Sequence, residues 1–297
     1  MKGNTVKELG LIKAVSRLED AHWLDPLAEA VRAAVSSVIP SPAARDVLNG
    51  VPFGHPLHPT AVQVPIGAWL SAGVLDATGR APEASQFLVG LGALSALPAA
   101  VAGATDLSQL RPQQSRIGVV HAGANVVAVV LYTASYLQRR RDRQLSGKLL
   151  GFLGLAVVSA SGFLGGHLSF RKAAGVNHAE GVPPRFPTGW QSIGPLTALP
   201  ENELTGLHVG DQPLVALRRG GTVNVLSNVC PHLSGPLSEG ELVGRDTDDP
   251  CVKCPWHGSV FSMRSGEVQH GPATAPAPSL TSRIVDGVVE VLMPGAG

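Results

Sequence analysis

The chain has 297 residues, of which 44% are hydrophobic and only 15% charged, with a mean hydropathy of +0.18. A soluble domain carries about 25% charged residues, so this composition excludes a disordered chain, a coiled coil and a disulfide-rich secreted module. Lys and Arg total 23 against 22 Asp and Glu, a net charge of +1 that excludes a strongly basic nucleic-acid binder.

Residues 1–54 carry scattered charges, and Leu24, Leu27, Val31 and Ala34 recur at helical spacing. Asp25-Pro26 reads as an N-cap followed by Pro at the first helical position. The segment predicts an amphipathic helix lying on a membrane surface or against the helices that follow. It shows no signal-peptide pattern, because no short apolar core follows its lysines.

Uncharged stretches then run over 47–75, 84–105, 117–138 and 149–170, the last three of 22 residues each. A helix of that length spans about 33 Å, against a hydrocarbon core of about 30 Å. The pattern predicts four transmembrane spans, over 60–79, 84–105, 117–138 and 149–169. Small-residue runs such as Gly90-Leu91-Gly92-Ala93 and Ser159-Ala160-Ser161-Gly162 suit close helix packing in lipid.

Four spans bring the starts of the first and third, and the ends of the second and fourth, to one side. That side gathers His55, His58, Asp106, His121 and His167. Polar residues at membrane depth are costly and mark functional sites by default. These admit a haem b held by two histidines, a His/Asp metal site, a quinone pocket, or plain capping and backbone hydrogen bonding. Six basic residues flank the spans on each side, which leaves the positive-inside rule undecided. The lack of an export signal directs the C-terminal part to the cytoplasm.

Residues 171–187, with Pro183-Pro184 and Pro187, read as a linker. From 188 to 297 short apolar runs alternate with turn residues. Leu214–Leu217 and Val223–Leu226 flank Gly220-Gly221, and Ser282–Val285 and Val288–Leu292 flank Asp286-Gly287, a strong hairpin signal. All three cysteines lie in this β region, too few and too close for a disulfide framework. Cys230-Pro231-His232 is followed by Cys254-Pro255-Trp256-His257-Gly258-Ser259. Two Cys and two His on paired loops suit one tetrahedral zinc or a [2Fe–2S] cluster, and spacing alone does not choose. Cys251 reads as an ordinary strand or turn residue, since a fifth ligand has no vacancy to fill.

The wider motif chooses. Cys230-Pro-His-Leu-Ser-Gly-Pro-Leu237, Cys254-Pro-Trp-His-Gly-Ser-Val-Phe261, Ser265-Gly266 and Gly271-Pro272 together resemble the Rieske iron–sulfur family over about 188–293. The resemblance implies a β-sandwich with a zinc-ribbon-like cluster-binding subdomain. It implies that Cys230 and Cys254 hold the buried iron, His232 and His257 the outer iron, and that Ser259 donates a hydrogen bond to a cluster sulfide. Gly235 and Trp256 stand where high-potential members carry a disulfide, and Phe261 replaces their tyrosine, which implies a low or intermediate potential. The membrane half, from Gly54-His-Pro-Leu-His-Pro-Thr60 to Ser161-Gly-Phe-Leu-Gly-Gly-His167, resembles an uncharacterised bacterial four-span membrane domain family.

The expected protein therefore has two domains: an N-terminal all-α four-helix transmembrane bundle (55–170) after the amphipathic segment, and a C-terminal all-β Rieske domain. It is a multi-pass protein of the bacterial cell membrane that passes single electrons between a donor and an acceptor, protein or quinone. The alternative is a non-catalytic redox sensor or accessory subunit of a membrane redox complex. With 40 residues after His257, an oxidoreductase component is expected and a complete oxygenase is not. Expected partners are the lipid bilayer and redox proteins, with no nucleic acid.

Overall fold

The computed structural model describes residues 10–294; the first nine residues, including the first lysines of the amphipathic segment, and the last three lie outside it. The chain divides into two compact units, one built from residues up to Pro40 with Leu57–Ala174, the other from Ser41–Pro56 with Gly175 onward.

The helical unit begins with α1 (Gly10–Glu19) and α2 (Asp25–Val38). The short α3 (Pro42–Asn49) belongs to the other unit. It starts on a Ser41 cap, whose Oγ accepts from Ala44 N, and stops at Gly50 in the left-handed region, φ 91°. Then come α4 (Leu57–Ala61), α5 (Gln63–Thr78), α6 (Pro82–Leu107), α7 (Pro112–Arg140) and α8 (Gln144–Gly166). A π-helical turn, His167–Arg171, ends α8.

Three stretches, Pro82–Leu107, Pro112–Arg140 and Gln144–Arg171, are long and apolar enough to cross a membrane. The expected count of four is not confirmed. The first expected span is broken into α4 and α5, and α5 has 16 residues, about 24 Å at 1.5 Å each, short of the hydrocarbon thickness. The break has a local cause: Pro65 has no N–H to give to the carbonyl four residues back. Backbone bonds from Val62 N to His58 O and from Ile66 N to Val62 O carry the helix path across it.

Missing side chains let these helices close. A Cβ on Gly92 would meet the Trp69 ring at 2.3 Å, and one on Gly154 would meet the Tyr132 ring at 2.9 Å. Trp69 and Tyr132 therefore stack in the bundle centre, 4.1 Å between centroids and 4° apart in plane. At one end Arg139, 1% exposed, reaches across to Asp76. Its Nη1 donates to Asp76 Oδ1 at 2.9 Å and to Ser85 Oγ at 3.0 Å, and its Nε to Ser135 Oγ at 3.2 Å. This buried ion pair ties α5, α6 and α7, and Gly147 on α8 leaves the room that the Arg139 stem fills.

The β unit holds ten strands. Six form one antiparallel sheet in the order β1-β10-β9-β4-β3-β2, from β1 (Gln191–Pro195), β2 (Leu204–Val209), β3 (Gln212–Arg219), β4 (Thr222–Ser227), β9 (Ser279–Val285) and β10 (Val288–Leu292). The smaller sheet runs β5-β6-β7-β8, from β5 (Glu241–Val243), β6 (Cys251–Lys253), β7 (Val260–Ser262) and β8 (Val268–His270). Both predicted hairpins are present, β3–β4 and β9–β10, the latter turning at Asp286 (φ 50°) and Gly287 (φ 77°).

Strand alternation divides the core in two. Leu214 and Ala216 of β3 face a cluster with Val223, Val225, Val289 and Val291. Val215 and Leu217 face the opposite way, into a cluster with Val252 and Phe261 of the small sheet and with Cys230 and Cys254. The two cysteines of the Cys-His motifs are thus rooted in the second core. The stretch expected as a linker is packed into the first: Ala179, Val182 and Phe186 are all buried in it.

Candidate metal centre

Two loops of one design carry the Cys and His residues. In the first, between β4 and β5, Cys230 N donates to Gly235 O at 2.9 Å and Ser234 N to Cys230 O at 2.9 Å. In the second, between β6 and β7, Cys254 N donates to Ser259 O at 2.8 Å and Gly258 N to Cys254 O at 3.1 Å. Each loop turns at a positive φ four residues after its cysteine, Ser234 at 65° and Gly258 at 77°. Each cysteine sulfur accepts backbone N–H bonds from the residues two and three further on: His232 and Leu233 for Cys230, Trp256 and His257 for Cys254.

The loops bring like side chains together. Both cysteines are buried and unoxidised, and their thiols share a hydrogen bond. The bond that Cys230 donates, ahead of the two loop amides and against burial, holds the Cys254 thiol down to about 6. The same bond, with burial, pushes Cys230 up. One of the pair is thus ready to be the thiolate a metal needs. The His232 and His257 rings lie edge to face with centroids 4.9 Å apart, both partly exposed. The four side chains form two pairs and not one tetrahedron. A single zinc draws four ligands to one point; two irons draw two pairs.

The surroundings close over this centre. A Cβ on Gly235 would lie 2.9 Å from Cys254 Sγ and 3.2 Å from the Trp256 ring, so the loops approach as they do only because that side chain is missing. Ser259 is fully buried, and its Oγ accepts from Ala273 N at 3.0 Å, which leaves the hydroxyl hydrogen to donate elsewhere. Cys251 stays apart as a free thiol at the start of β6, with Asp249 O 3.4 Å away.

Two supports had no signal in the sequence. His178 N donates to Pro231 O at 2.9 Å, seating the stretch before β1 on the first loop. Asp46 of α3 accepts from Gly271 N at 2.8 Å and pairs with His270 Nδ1 at 2.8 Å, so a segment far earlier in the chain braces the Gly271-Pro272 loop beside Ala273.

The five polar residues expected to cluster in the membrane half do not form one group. His55 belongs to the β unit and is exposed. His58 and His121 do meet, edge to face at 6.3 Å. Each spends its Nδ1 on a helix carbonyl at 2.8 Å, Ala99 O for His58 and Ser161 O for His121, and Asn125 Nδ2 lies 3.1 Å from His121 Nε2. His167 sits elsewhere, with Nε2 3.6 Å from Glu19, which also holds Lys172 at 2.6 Å. Asp106, near the end of α6, is partly buried. Among the described residues no group of three or more His, Cys, Asp or Glu is placed to hold one metal ion. The expected haem or second metal is therefore without support among the described residues.

Comparison with known proteins agrees with this geometry. Residues 189–282 match the Rieske [2Fe–2S] domain and residues 54–178 a predicted membrane protein family of unknown function, DUF2231. The ferredoxin subunit of anthranilate 1,2-dioxygenase from Burkholderia cepacia is 32% identical over 102 residues, 34% of this chain and 90% of that protein. The ferredoxin subunit of 3-phenylpropionate/cinnamic acid dioxygenase from Escherichia coli (strain K12) is 30% identical over 103 residues, 34% of this chain and 92% of that one. Cholesterol 7-desaturase of Caenorhabditis elegans is 33% identical over 92 residues, 31% of this chain, but the alignment spans only 21% of that protein. Among solved structures, the ferredoxin of carbazole 1,9a-dioxygenase from Nocardioides aromaticivorans IC177 aligns with 36% of this chain and 99% of its own, at 21% identity and a TM-score of 0.33. The chain belongs to the Rieske [2Fe–2S] family through its C-terminal domain, preceded by a DUF2231 membrane domain. Its Rieske domain is homologous to dioxygenase ferredoxin subunits, which supports a [2Fe–2S] cluster and electron transfer.

Proposed function

We propose that this is a membrane-anchored electron carrier in which Cys230 and Cys254 hold the inner iron of a [2Fe–2S] cluster and His232 and His257 the outer one. The observation that carries the reading is the pairing of the two loops, thiols together in the core and imidazoles together at its edge. When bound, such a cluster supplies a one-electron couple, and two His in place of two Cys raise its potential above that of an all-Cys cluster. The chain's own residues do the rest. The loop amides on both sulfurs stabilise thiolate charge, Ser259 is placed as a hydrogen-bond donor toward the cluster, and Gly235 leaves room for Cys254 Sγ beside the Trp256 ring. The partly exposed histidine edge is where an electron leaves or enters.

The ferredoxin relatives favour a carrier over a sensor: their names make them subunits that serve an oxygenase. We therefore assign this chain a protein redox partner as acceptor, with a protein or quinone as donor. We place the domain on the cytoplasmic side, where a cluster is inserted without export of a folded head; protease access in inverted against right-side-out vesicles tests the side.

The central test is an optical and EPR spectrum of the detergent-purified full chain, oxidised and then dithionite-reduced, with metal analysis. The expected result is the Rieske visible band, bleached on reduction, with iron and no zinc. His257→Ala is expected to abolish it. A zinc-loaded colourless protein, or an unchanged spectrum in the His257→Ala variant, would overturn the assignment.

A further inference from the structure

The helix α2 has two apolar flanks and the bundle uses only one. Leu24 and Ala28 are buried in a cluster with Leu107 and Val119, and Val31, Leu110 and Val120 pack against it. Arg32 reinforces the seat, donating from Nε to Ser108 O at 2.8 Å and from Nη2 to Leu110 O at 3.4 Å. Arg116 Nε donates to Asp25 Oδ1 at 2.7 Å. Ser108 and Leu110 lie in the turn between α6 and α7, Leu107 at the end of α6, and Arg116, Val119 and Val120 in the first turns of α7, two helices long and apolar enough to cross a membrane. The helix α2 is therefore held at the level where the chain leaves the hydrocarbon.

Across the turn His22–Leu24 and α2, at about 100° per residue, the larger apolar side chains Trp23, Leu24, Leu27, Val31, Val35, Val38 and Ile39 fall within an arc of roughly 160°. Leu24, Ala28 and Val35 take the bundle side. The remainder is bare: Trp23 is 76% exposed, Leu27 52% and Val38 78%, with exposed Ala34 among them. Glu29 and Ser36, both exposed, lie on the opposite flank. A helix edged by water on both sides would carry polar residues on both. Here one flank suits water and the other does not. Leu97 and Val101 of α6, a helix that α2 packs against, are likewise exposed and apolar, as a lipid-facing helix surface is.

We propose that Trp23, in the turn leading into α2, and Leu27, Ala34 and Val38 of α2 form a lipid-binding face, and that α2 lies in the plane of the bilayer interface with this flank among the upper acyl chains and Glu29 toward water. The amphipathic ring of Trp23 suits the headgroup boundary. The occupant is the bilayer itself, and the inference rests on the membrane reading of the helical unit.

The test is tryptophan fluorescence of the full chain in phosphatidylcholine vesicles that contain brominated lipid. The chain has four tryptophans, so the Trp23 signal is taken as the difference between the native protein and Trp23→Phe, a change at a side chain outside the core. For a face buried about 5–10 Å below the headgroups, Trp23 is expected to be quenched about twofold more by lipid brominated high on the chain than by lipid brominated near its end. It should also resist aqueous iodide. Quenching by iodide and not by bromolipid would overturn the proposal. Quenching by neither would overturn it too, and would assign the face to a protein contact. Flotation separates this failure from the larger one: a chain that does not float with vesicles refutes the membrane reading as well.

Discussion

The two units treat their polar side chains in opposite ways. In the helical unit many are spent on the fold: Arg139 on Asp76, Ser85 and Ser135, His58 on Ala99 O, His121 on Ser161 O. In the β unit the backbone of each loop serves its cysteine, and the cysteines and histidines are left to converge in pairs. Lipid explains the contrast. A bilayer offers no water to satisfy a polar group, so such a group must be consumed by its neighbours. A small β domain can root two cysteines in its core, leave two histidines at the edge, and pay for neither until a cofactor binds. A membrane histidine is thus a poor guide to chemistry until its hydrogen bonds are counted.

The sharpest way to break that contrast is at Arg139. If the Arg139–Asp76 pair is structural, Arg139→Ala leaves a buried carboxylate without its partner and should destabilise the helical unit by about 3–5 kcal/mol, read from thermal unfolding in detergent. The Rieske spectrum should survive in the fraction that stays folded. Combining it with Asp76→Asn should recover most of the loss, because the uncompensated charge is gone. A single variant as stable as the native chain would show that water or lipid headgroups reach the pair.

In the β unit, Gly235→Ala should do the reverse. Its Cβ would press on Cys254 Sγ and the Trp256 ring, an overpacking of about 1–3 kcal/mol placed on a ligand. The expected result is loss of most visible absorbance per protein, while the helical unit unfolds at its native temperature. Full cluster content in that variant would mean that the loops have more room than the geometry gives them. Next comes the histidine pair of the bundle. His58→Ala and His121→Ala should each cost about 1 kcal/mol for the lost hydrogen bond and leave iron content and visible spectrum unchanged. A Soret band in the native protein that disappears in either variant would reinstate a haem.

How much of this was legible follows from sequence distance. The hairpins, the Cys–His loops and three of the membrane helices are local patterns, each set within about thirty residues, and the sequence shows them. Arg139 reads as one more basic loop residue, because nothing near it reveals that Asp76, 63 positions away, draws it inside. The first span reads as continuous, because hydropathy does not register the N–H that Pro65 lacks. The polar residues 55–167 read as one cluster, because side of membrane was inferred without their partners; the carbonyls of Ala99 and Ser161 carry no sequence signature at all. Stretch 171–187 reads as a linker from its prolines, while Ala179, Val182 and Phe186 fill a core whose shape is set by strands further on.

The brace on the Gly271-Pro272 loop gives the smallest and most discriminating effect. Asp46 makes two bonds there, one to the Gly271 backbone N–H and one to His270, a side chain 57% exposed. Asp46→Asn keeps an oxygen for the N–H and gives up only the ion pair, which at that exposure is worth about 0.5 kcal/mol. Asp46→Ala gives up both and should cost about 1.5 kcal/mol. If the brace serves only stability, the two variants differ in melting temperature and share one reduction potential. If the loop it holds tunes the cluster through Ala273 and Ser259, as the bond from Ala273 N to Ser259 Oγ suggests, Asp46→Ala should also shift the potential while Asp46→Asn does not. Equal potentials in all three proteins would confine Asp46 to holding the segment 41–56 in place.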